Sequence, residues 1–366
     1  MKTAKIKILQ DMAKKDDLQA VLVYSMAWRK ENFRYLTGTN FFGPYAMVLY
    51  LAETDRVSLI LSSNWDKQRI EGSLEHIDQV IVLDNGWKGL DELLQANKVK
   101  KIGVSSAGFF PAGLAKTLKD AGVTIKSADG YIEKIRYRKT PEEVECLRAA
   151  VNLADRAFPV FMESIAKGLN EFQIVAEVEY ALKKMGAEDN FMLISTGGPE
   201  VYGMTPPMAR VAKQGNLVLT ELTPQLNGWW CQICRTVVKG EPSAEQLRIF
   251  NIFKEAEEAG LAMVKPGVNI SDVAKAENDV FRKYGYGEYT SSKYTRVRGH
   301  GHGMHLDEAP TVNEDVDLVI EEGMVIVVHP NTFNPVTGYM VIGDPVVVTK
   351  DGNKMLSTTE RKLFHV

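Results

Sequence analysis

The chain of 366 residues is poor in the features that mark secreted, membrane and nucleic-acid-binding proteins. Its three cysteines are too few to cross-link a secreted scaffold of this size, which favours a reducing compartment. No stretch approaches the roughly 18 uncharged apolar residues of a membrane span, and the N-terminal residues lack the apolar core of a signal peptide. A formal net charge of −3 gives no attraction to nucleic acid. We therefore expect a cytoplasmic protein without membrane or nucleic-acid partners.

Histidine is also scarce, and its distribution along the chain is uneven. Of the six histidines, His300, His302 and His305 lie within residues 299–310, and His329 follows. Imidazole is the side chain best suited to move protons or bind metals near neutral pH. The glycines that alternate with these histidines allow a close approach of the backbone. The pattern predicts a functional site, the alternative being a surface turn with incidental histidines.

The same segment, Gly-His-Gly-His-Gly-Met-His-Leu-Asp-Glu-Ala-Pro, resembles a motif of the pita-bread superfamily, which includes methionine aminopeptidases, Xaa-Pro peptidases and creatinase. Further segments resemble landmarks of the two-domain creatinase and Xaa-Pro peptidase branch, in the same order: 32–38, 134–143, 227–236 and 323–330. The resemblance implies an N-terminal α/β domain over residues 1–134. It also implies an α+β pita-bread catalytic domain over residues 135–366, with a curved antiparallel sheet and outer helices.

The hydrophobic periodicity predicts a similar division. In the first part, helices over 3–15, 64–72, 89–97 and 111–121 alternate with strands over 19–24, 78–83, 100–105 and 123–127, besides a hairpin over 46–52 and 56–62. In the second part, a capping box predicts a helix that begins at Thr140. Further helices are predicted near 171–185, 244–264 and 271–284, and strands near 192–196, 216–223, 229–238, 296–302, 324–329 and 340–349.

The resemblance implies a site for two metal ions, but the residues at its five ligand positions differ from the family pattern. Where the peptidases have Asp, Asp, His, Glu and Glu, this chain has Glu221, Gln232, His300, His329 and Gly343. Two divalent cations need anionic oxygens to offset their charge, and one carboxylate of four remains. We expect no dinuclear centre and no cofactor. A single ion held by Glu221, His300 and His329 stays open as an alternative.

The remaining groups favour proton transfer. A carboxylate at Glu221, in a partly desolvated pocket, suits a planar cation such as a guanidinium. His300 and His329 suit the transfer of a proton to or from a reacting nitrogen or water. Creatinase, to which the chain is similar, dispenses with metal, carries Glu at the first position and breaks a C–N bond. The leading hypothesis is a metal-independent, creatinase-like hydrolase of a small cationic substrate, in which Glu308 is a fourth catalytic residue.

Six further residues are predicted to contact the substrate. They are Tyr202, Gln232, Cys234, Arg298, His302 and Asp307. Gln232 and Cys234 share one face if residues 229–237 form a strand, as do His300 and His302 in an extended segment. A histidine that the family places before the first ligand strand falls near Met204. Creatinase's own reaction is therefore not expected.

Two other functions remain open. One is a mononuclear metal-dependent lyase or an atypical Xaa-Pro-type peptidase, and the other is a pita-bread domain that binds without catalysis. The resemblance also implies a homodimer. In such a dimer, the aromatic loop over residues 41–45 would close the site of the partner subunit.

Overall fold

The computed structural model describes residues 4–70, 74, 76–83 and 87–366. The chain divides into two compact units, Met1–Arg136 and Tyr137–Val366. The predicted domain boundary after residue 134 stays a prediction, two residues from this division. Within the described ranges, no helix combines the length and apolar character needed to cross a bilayer.

The first unit alternates helices with strands. Its helices are α1 (Ala4–Asp16), α2 (Glu31–Thr37), α3 (Asn64–Ile70), α4 (Trp87–Ala96), α5 (Ala112–Asp120) and α6 (Tyr131–Arg136), with a 3₁₀ turn at Ala107–Phe109. Its strands are β1 (Ala20–Met26), β2 (Tyr45–Leu51), β3 (Arg56–Leu61), β4 (Gln79–Val82), β5 (Lys101–Ser105) and β6 (Thr124–Ser127). The predicted helices over 3–15 and 64–72 match α1 and α3, but residues 3, 71 and 72 lie outside the described residues.

One sheet organises the first unit, with the strand order β4-β3-β2-β1-β5-β6. β2 pairs antiparallel with β1 and β3, and the other neighbouring strands pair in parallel. The central strands are buried along nearly their whole length, as expected for a sheet covered on both faces. The pattern did not predict helix α2, which ends where Gly38 adopts a left-handed φ of 69°.

The second unit contains longer helices and shorter strands. Its helices are α7 (Pro141–Ala166), α8 (Glu171–Lys184), α9 (Ala244–Met263) and α10 (Ile270–Lys283), with a 3₁₀ turn at Gly287–Thr290. Its first strands are β7 (Asp189–Asn190), β8 (Leu193–Gly197), β9 (Leu217–Leu222), β10 (Pro224–Leu226), β11 (Trp229–Trp230) and β12 (Ile233–Val238). The later ones are β13 (Gly299–Gly301), β14 (Glu308–Thr311), β15 (Val325–Val328), β16 (Thr332–Asn334), β17 (Gly338–Met340), β18 (Asp344–Thr349), β19 (Gly352–Met355) and β20 (Phe364–His365).

Two largely antiparallel sheets meet at the centre of the second unit. Their strand orders are β20-β12-β9-β8 and β14-β13-β15-β18-β19. An isolated bridge between Cys234 and Gly343 connects them. Apolar side chains of α9 and α10 pack into the same cores as strand residues of the two sheets. The predicted curved antiparallel sheet with outer helices is thus present.

The predicted strand over residues 229–238 is wrong in one respect, because it is interrupted at Cys231 and Gln232. The backbone changes partners at this point. The amide of Cys231 donates to the carbonyl oxygen of Pro224 over 3.2 Å, whereas that of Cys234 donates to Gly343 over 2.9 Å. The break places Gln232 at the junction between β11 and β12.

Helix α7, which opens the second unit, begins with the predicted capping box. The side chain of Thr140 accepts a hydrogen bond from the amide of Glu143 over 3.3 Å. The carboxylate of Glu143 accepts one from the amide of Thr140 over 3.1 Å. Two otherwise unpaired amides at the helix start are therefore satisfied.

We predict that Thr140→Ala lowers the free energy of unfolding of the second unit by about 1 kcal/mol, because the amide of Glu143 loses its acceptor. Thr140→Ser is the matched control, since it keeps the hydroxyl. Urea unfolding followed by circular dichroism measures both variants. An alanine variant as stable as the serine variant would contradict the role of the cap.

Candidate active site

A cavity of about 580 Å³ in the second unit gathers six of the ten predicted site residues. They are Tyr202, Glu221, Gln232, His300, Asp307 and His329. Their elements are far apart in sequence and meet where the two sheets join. Their individual roles stay predictions, but the structure brings them to one place.

His300 reaches the cavity from β13, a strand of three residues with neighbours on both sides. The flanking glycines make that packing possible. A Cβ at Gly299 would lie 2.2 Å from the carbonyl oxygen of Val327, and one at Gly301 would lie 2.4 Å from that of Ala309. The glycines thus admit the backbone of neighbouring segments rather than a ligand. Their effect is to fix His300 on a buried, rigid strand.

The ring of His300 is oriented through its Nδ1 atom. Nδ1 lies 3.0 Å from the carbonyl oxygen of Gly301 and 3.4 Å from Oδ1 of Asp307. Both neighbours are acceptors, so the proton of the neutral ring belongs on Nδ1 and Nε2 keeps its lone pair. Burial lowers the pKa of His300, while the charge of Asp307 opposes that shift. His300 is therefore arranged as a neutral base.

Asp307 is itself held in place, because its carboxylate accepts a short hydrogen bond from the guanidinium of Arg296. Both residues line the cavity. Arg296 thus positions the carboxylate of Asp307, and Asp307 in turn orients the base His300.

Glu221 projects from β9 into the cavity. Its Oε1 accepts from Nδ2 of Asn331 over 3.2 Å and from Sγ of Cys234 over 3.8 Å. Burial raises the pKa of Glu221 from 4.5 to about 7, because the ionised form loses its hydration. Near neutral pH a large fraction of the protein molecules thus carry Glu221 as the neutral acid, which can donate a proton.

Cys234 stands behind this carboxyl group and not on the cavity wall. It is fully buried, and its Sγ accepts a hydrogen bond from Nε2 of Gln232 over 3.3 Å. Burial raises the pKa of its thiol well above the ordinary value. A protonated, enclosed thiol supports Glu221, so the predicted direct contact of Cys234 with substrate is not what its position supports.

Glu308, His302 and Arg298 also lie outside the cavity lining. The carboxylate of Glu308 lies 3.5 Å from Nζ of buried Lys139 and accepts from the amide of His305 over 3.1 Å. His302 has no exposed surface and packs with its ring centroid 5.1 Å from that of His300. These positions favour a structural part for Glu308, which was predicted to be catalytic, and for His302, which was predicted to contact the substrate. Strands β14 and β15 enclose the segment on both sides, which the sequence pattern did not reveal.

The residues at the family's metal positions do not fit a pair of metal ions. His329 lines the cavity, and burial lowers its pKa well below the usual range. A Cβ at Gly343 would lie 2.5 Å from Cβ of His329, so the space for a side chain at position 343 is already filled. Among the described residues, no three His, Cys, Asp or Glu side chains form a group that could hold a metal ion. The single-ion set of Glu221, His300 and His329 is therefore not assembled either.

Among the cavity residues that the sequence did not single out are Asn331, Lys293 and Arg296. Asn331 directly follows the His329-Pro330 landmark and bonds to Glu221, so its place in the motif was an available signal. Lys293 and Arg296 add positive charge to the wall. Met204, where the resemblance places a histidine, also lines the cavity.

Comparison with known proteins identifies the family of the chain. The model of metallopeptidase family M24 matches residues 145–350, and that of the creatinase/prolidase N-terminal domain matches residues 5–138. The chain belongs to metallopeptidase family M24. The predicted two-domain pita-bread fold and its creatinase and Xaa-Pro peptidase branch are thereby confirmed. As a member of this family, the protein is a hydrolase of C–N bonds.

Individual relatives resemble this chain over most of its length. An Xaa-Pro dipeptidase of Pyrococcus horikoshii is 28% identical over 364 residues, covering 98% of each chain. An Xaa-Pro dipeptidase of Pyrococcus furiosus is 32% identical over 65% of this chain and 68% of its own length. The crystal structure of the prolidase from P. horikoshii OT3 has a TM-score of 0.88 at 27% identity, over 99% of this chain and 100% of that chain.

The family assignment corrects one prediction from the sequence. The sequence predicted a metal-independent enzyme. That prediction is wrong, because the chain belongs to a family of metallopeptidases. The side chains at the ligand positions still do not fit the two-metal site. The chemistry proposed below is therefore derived from the protein's own groups, and no step is assigned to a metal.

We predict that Glu221→Gln makes the protein more stable than wild type at neutral pH but not at acid pH. The pKa of Glu221 is about 7 in the folded protein, against an ordinary value of 4.5 in the unfolded chain. The wild type therefore loses stability as the pH rises from about 4.5 to 7. The glutamine variant avoids this loss. The difference in unfolding free energy should grow by an amount on the order of 3 kcal/mol across that window and then level off.

Urea unfolding at a series of pH values measures this difference. Glu322→Gln, at an exposed position outside the cavity, is the matched control and should show no such trend. A Glu221→Gln variant whose stability runs parallel to that of wild type from pH 4.5 to 8 would refute the shifted pKa.

Proposed function

We propose that this chain hydrolyses the C–N bond of a small peptide as an atypical Xaa-Pro-type peptidase, with His300 and Glu221 carrying the protons. The observation that carries the proposal is the pairing of complementary groups on one cavity: an oriented neutral imidazole and a buried carboxyl group with a pKa of about 7. The relatives named Xaa-Pro dipeptidase support a peptide as the substrate class.

The proposed reaction uses one proton acceptor and one donor. Nε2 of His300 takes a proton from water as the water oxygen attacks the carbonyl carbon. The neutral carboxyl group of Glu221 gives its proton to the nitrogen as the C–N bond breaks. The products are a carboxylic acid and an amine. Proton exchange with solvent then returns both side chains to their starting forms.

Asp307 and Arg296 act on this reaction through His300. Asp307 stabilises the imidazolium that forms when Nε2 takes the proton, since its Oδ1 lies 3.4 Å from Nδ1. Arg296 keeps the carboxylate of Asp307 in place. Asp307 is thus proposed as a positioning residue, rather than the substrate contact expected from the sequence.

The charge of the cavity argues against the cationic guanidino substrate expected from the sequence. Glu221 is largely neutral below pH 7, so it offers little anionic charge to a guanidinium. Lys293 lines the same cavity and repels a cation, whereas the charge of Arg296 is paired with Asp307. A neutral amide bond fits these surroundings better. A cavity of about 580 Å³ lies in the range of sites for small molecules.

The homodimer, the cytoplasmic location and the closure of a partner's site by residues 41–45 stay predictions.

We predict that Glu221→Gln and His300→Gln each lower kcat/KM for Xaa-Pro dipeptides by about 100-fold or more, because each removes one proton carrier. His365→Gln is the matched control, at a half-exposed position outside the cavity, and should leave kcat/KM unchanged. Assays are run without metal and with Zn²⁺, Mn²⁺ or Co²⁺ added. If both cavity variants match wild type in every condition, the proposed roles are excluded.

The pH dependence of wild-type kcat/KM should be bell-shaped. Activity rises with pH as His300 loses its proton, at a pKa that burial holds below 6.5. Activity falls above about pH 7, as Glu221 ionises. The residual activity of Glu221→Gln should lack the alkaline fall, and that of His300→Gln should lack the acid rise. An alkaline fall that persists in Glu221→Gln would assign the donor to another group.

A further inference from the structure

One side of the cavity that contains His300 and Glu221 is apolar, and it lies on strand β8 and the segments that flank this strand. We call this side the apolar wall, and it consists of Phe191, Leu193, Tyr202 and Met204. Leu193 lies directly opposite Glu221 in the antiparallel pair of β8 and β9. Opposite residues of such a pair share one face of the sheet, so the apolar wall begins beside the proposed proton donor.

The loop after β8 holds the backbone of Tyr202 on both sides. The carbonyl oxygen of Val201, before it, accepts a hydrogen bond from the amide of Tyr339 over 2.8 Å. The carbonyl oxygen of Gly203, after it, accepts one from the hydroxyl of Ser195 over 3.0 Å. Because both neighbouring peptide groups are bound, the position of Tyr202 in the apolar wall is set by the fold.

The ring of Tyr202 is packed on one face and largely open on the other. It stacks on Phe333 with a centroid distance of 4.5 Å and an interplanar angle of 12°. Phe333 is buried and also stacks with Tyr294, at 5.8 Å and 15°. The side chain of Tyr202 is nevertheless 65% exposed. An immobilised aromatic ring with an open face favours stacking with a flat apolar group of a ligand, since little conformational entropy is lost on binding.

The order of the strands relates Tyr202 to the two proton carriers. Strand β12 pairs with one edge of β9, and it bridges to the segment before β18, in the sheet that contains β13. Strand β8 pairs with the other edge of β9, and it bridges to the loop that contains Tyr202. In the order of the strands, Glu221 on β9 therefore lies between His300 on β13 and Tyr202.

We propose that the open face of Tyr202 binds an aromatic side chain of the residue that follows the proline, so that the enzyme selects tripeptides of the type Xaa-Pro-Phe. The inference rests on the proposed function, in which His300 acts at the carbonyl carbon and Glu221 protonates the leaving nitrogen. The nitrogen side of the cleaved bond then extends from Glu221 toward β8. The proline lies beside Leu193 and Met204, and the next residue reaches Tyr202.

The test compares three peptides that differ only in their third residue. They are Ala-Pro-Phe, Ala-Pro-Ala and a peptide in which cyclohexylalanine, of similar size but not flat, replaces phenylalanine. Binding is measured by calorimetry on the full chain carrying His300→Gln, so that the peptides are not consumed. Ala-Pro-Phe should bind about 10-fold or more tightly than Ala-Pro-Ala, and about 3-fold or more tightly than the cyclohexyl peptide, because only an aromatic ring stacks on Tyr202.

Variants of Tyr202 in the same background locate this preference. Tyr202→Ala removes the ring and should reduce the preference for Ala-Pro-Phe over Ala-Pro-Ala to less than about 2-fold. Tyr202→Leu keeps an apolar side chain and should abolish the difference between the phenyl and the cyclohexyl peptide. Tyr202→Phe keeps the ring and should retain both preferences. Tyr180→Ala, at an exposed position of helix α8 outside the cavity, is the matched control and should also retain them.

Three results would overturn the proposal. In the first, the three peptides bind equally, or none binds. In the second, the cyclohexyl peptide binds as tightly as Ala-Pro-Phe. In the third, the preference survives both Tyr202→Ala and Tyr202→Leu. If analytical ultracentrifugation then shows a dimer that only these two variants lose, the open face of Tyr202 belongs to an interface between two copies of the chain. The turnover of neutral dipeptides by the wild type tests the proposed function separately, since the binding experiment involves no cleavage.

Discussion

The chemistry of this protein depends on the removal of water from three ionisable side chains around one cavity. Burial disfavours the charged form of each, so Glu221 is held partly protonated while His300 and His329 are held neutral. Each group is in the form that proton transfer requires near neutral pH. The neighbours of these side chains refine the effect. Asp307 opposes the shift of His300, and Asn331 and Cys234 hold the carboxyl group of Glu221 in place.

At the metal-ligand positions of the family, this chain carries residues that differ from the family pattern. The resemblance implies Asp, Asp, His, Glu and Glu as the metal ligands of the family, and here an amide, an imidazole and a glycine occupy three of these five places. The differences are linked in space. The side chain of His329 fills the volume that a residue larger than glycine would need at position 343. Restoring a carboxylate at position 343 therefore requires a change at position 329.

A rigid framework supports these side chains. β13 runs between β14 and β15, and the missing side chains at Gly299 and Gly301 allow the neighbouring carbonyl groups to approach. The bridge between Cys234 and Gly343 joins the two sheets beside Glu221. Glu221 and His300 lie on strands, whereas Asp307 and Arg296 lie on the segments that flank β13.

The sequence by itself determined most of the longer elements, the two-domain fold and the identity of the motif around His300. Periodicity and capping residues are local, and the helix that begins at Thr140 needs only its own first turn to be recognised. The tertiary structure alone decided which side chains of the motif face the cavity. His302 and Glu308 share a segment with His300, yet neighbouring strands and Lys139 enclose them. Burial, unlike periodicity, arises from residues distant in the chain, so the protonation states could only be read from the fold.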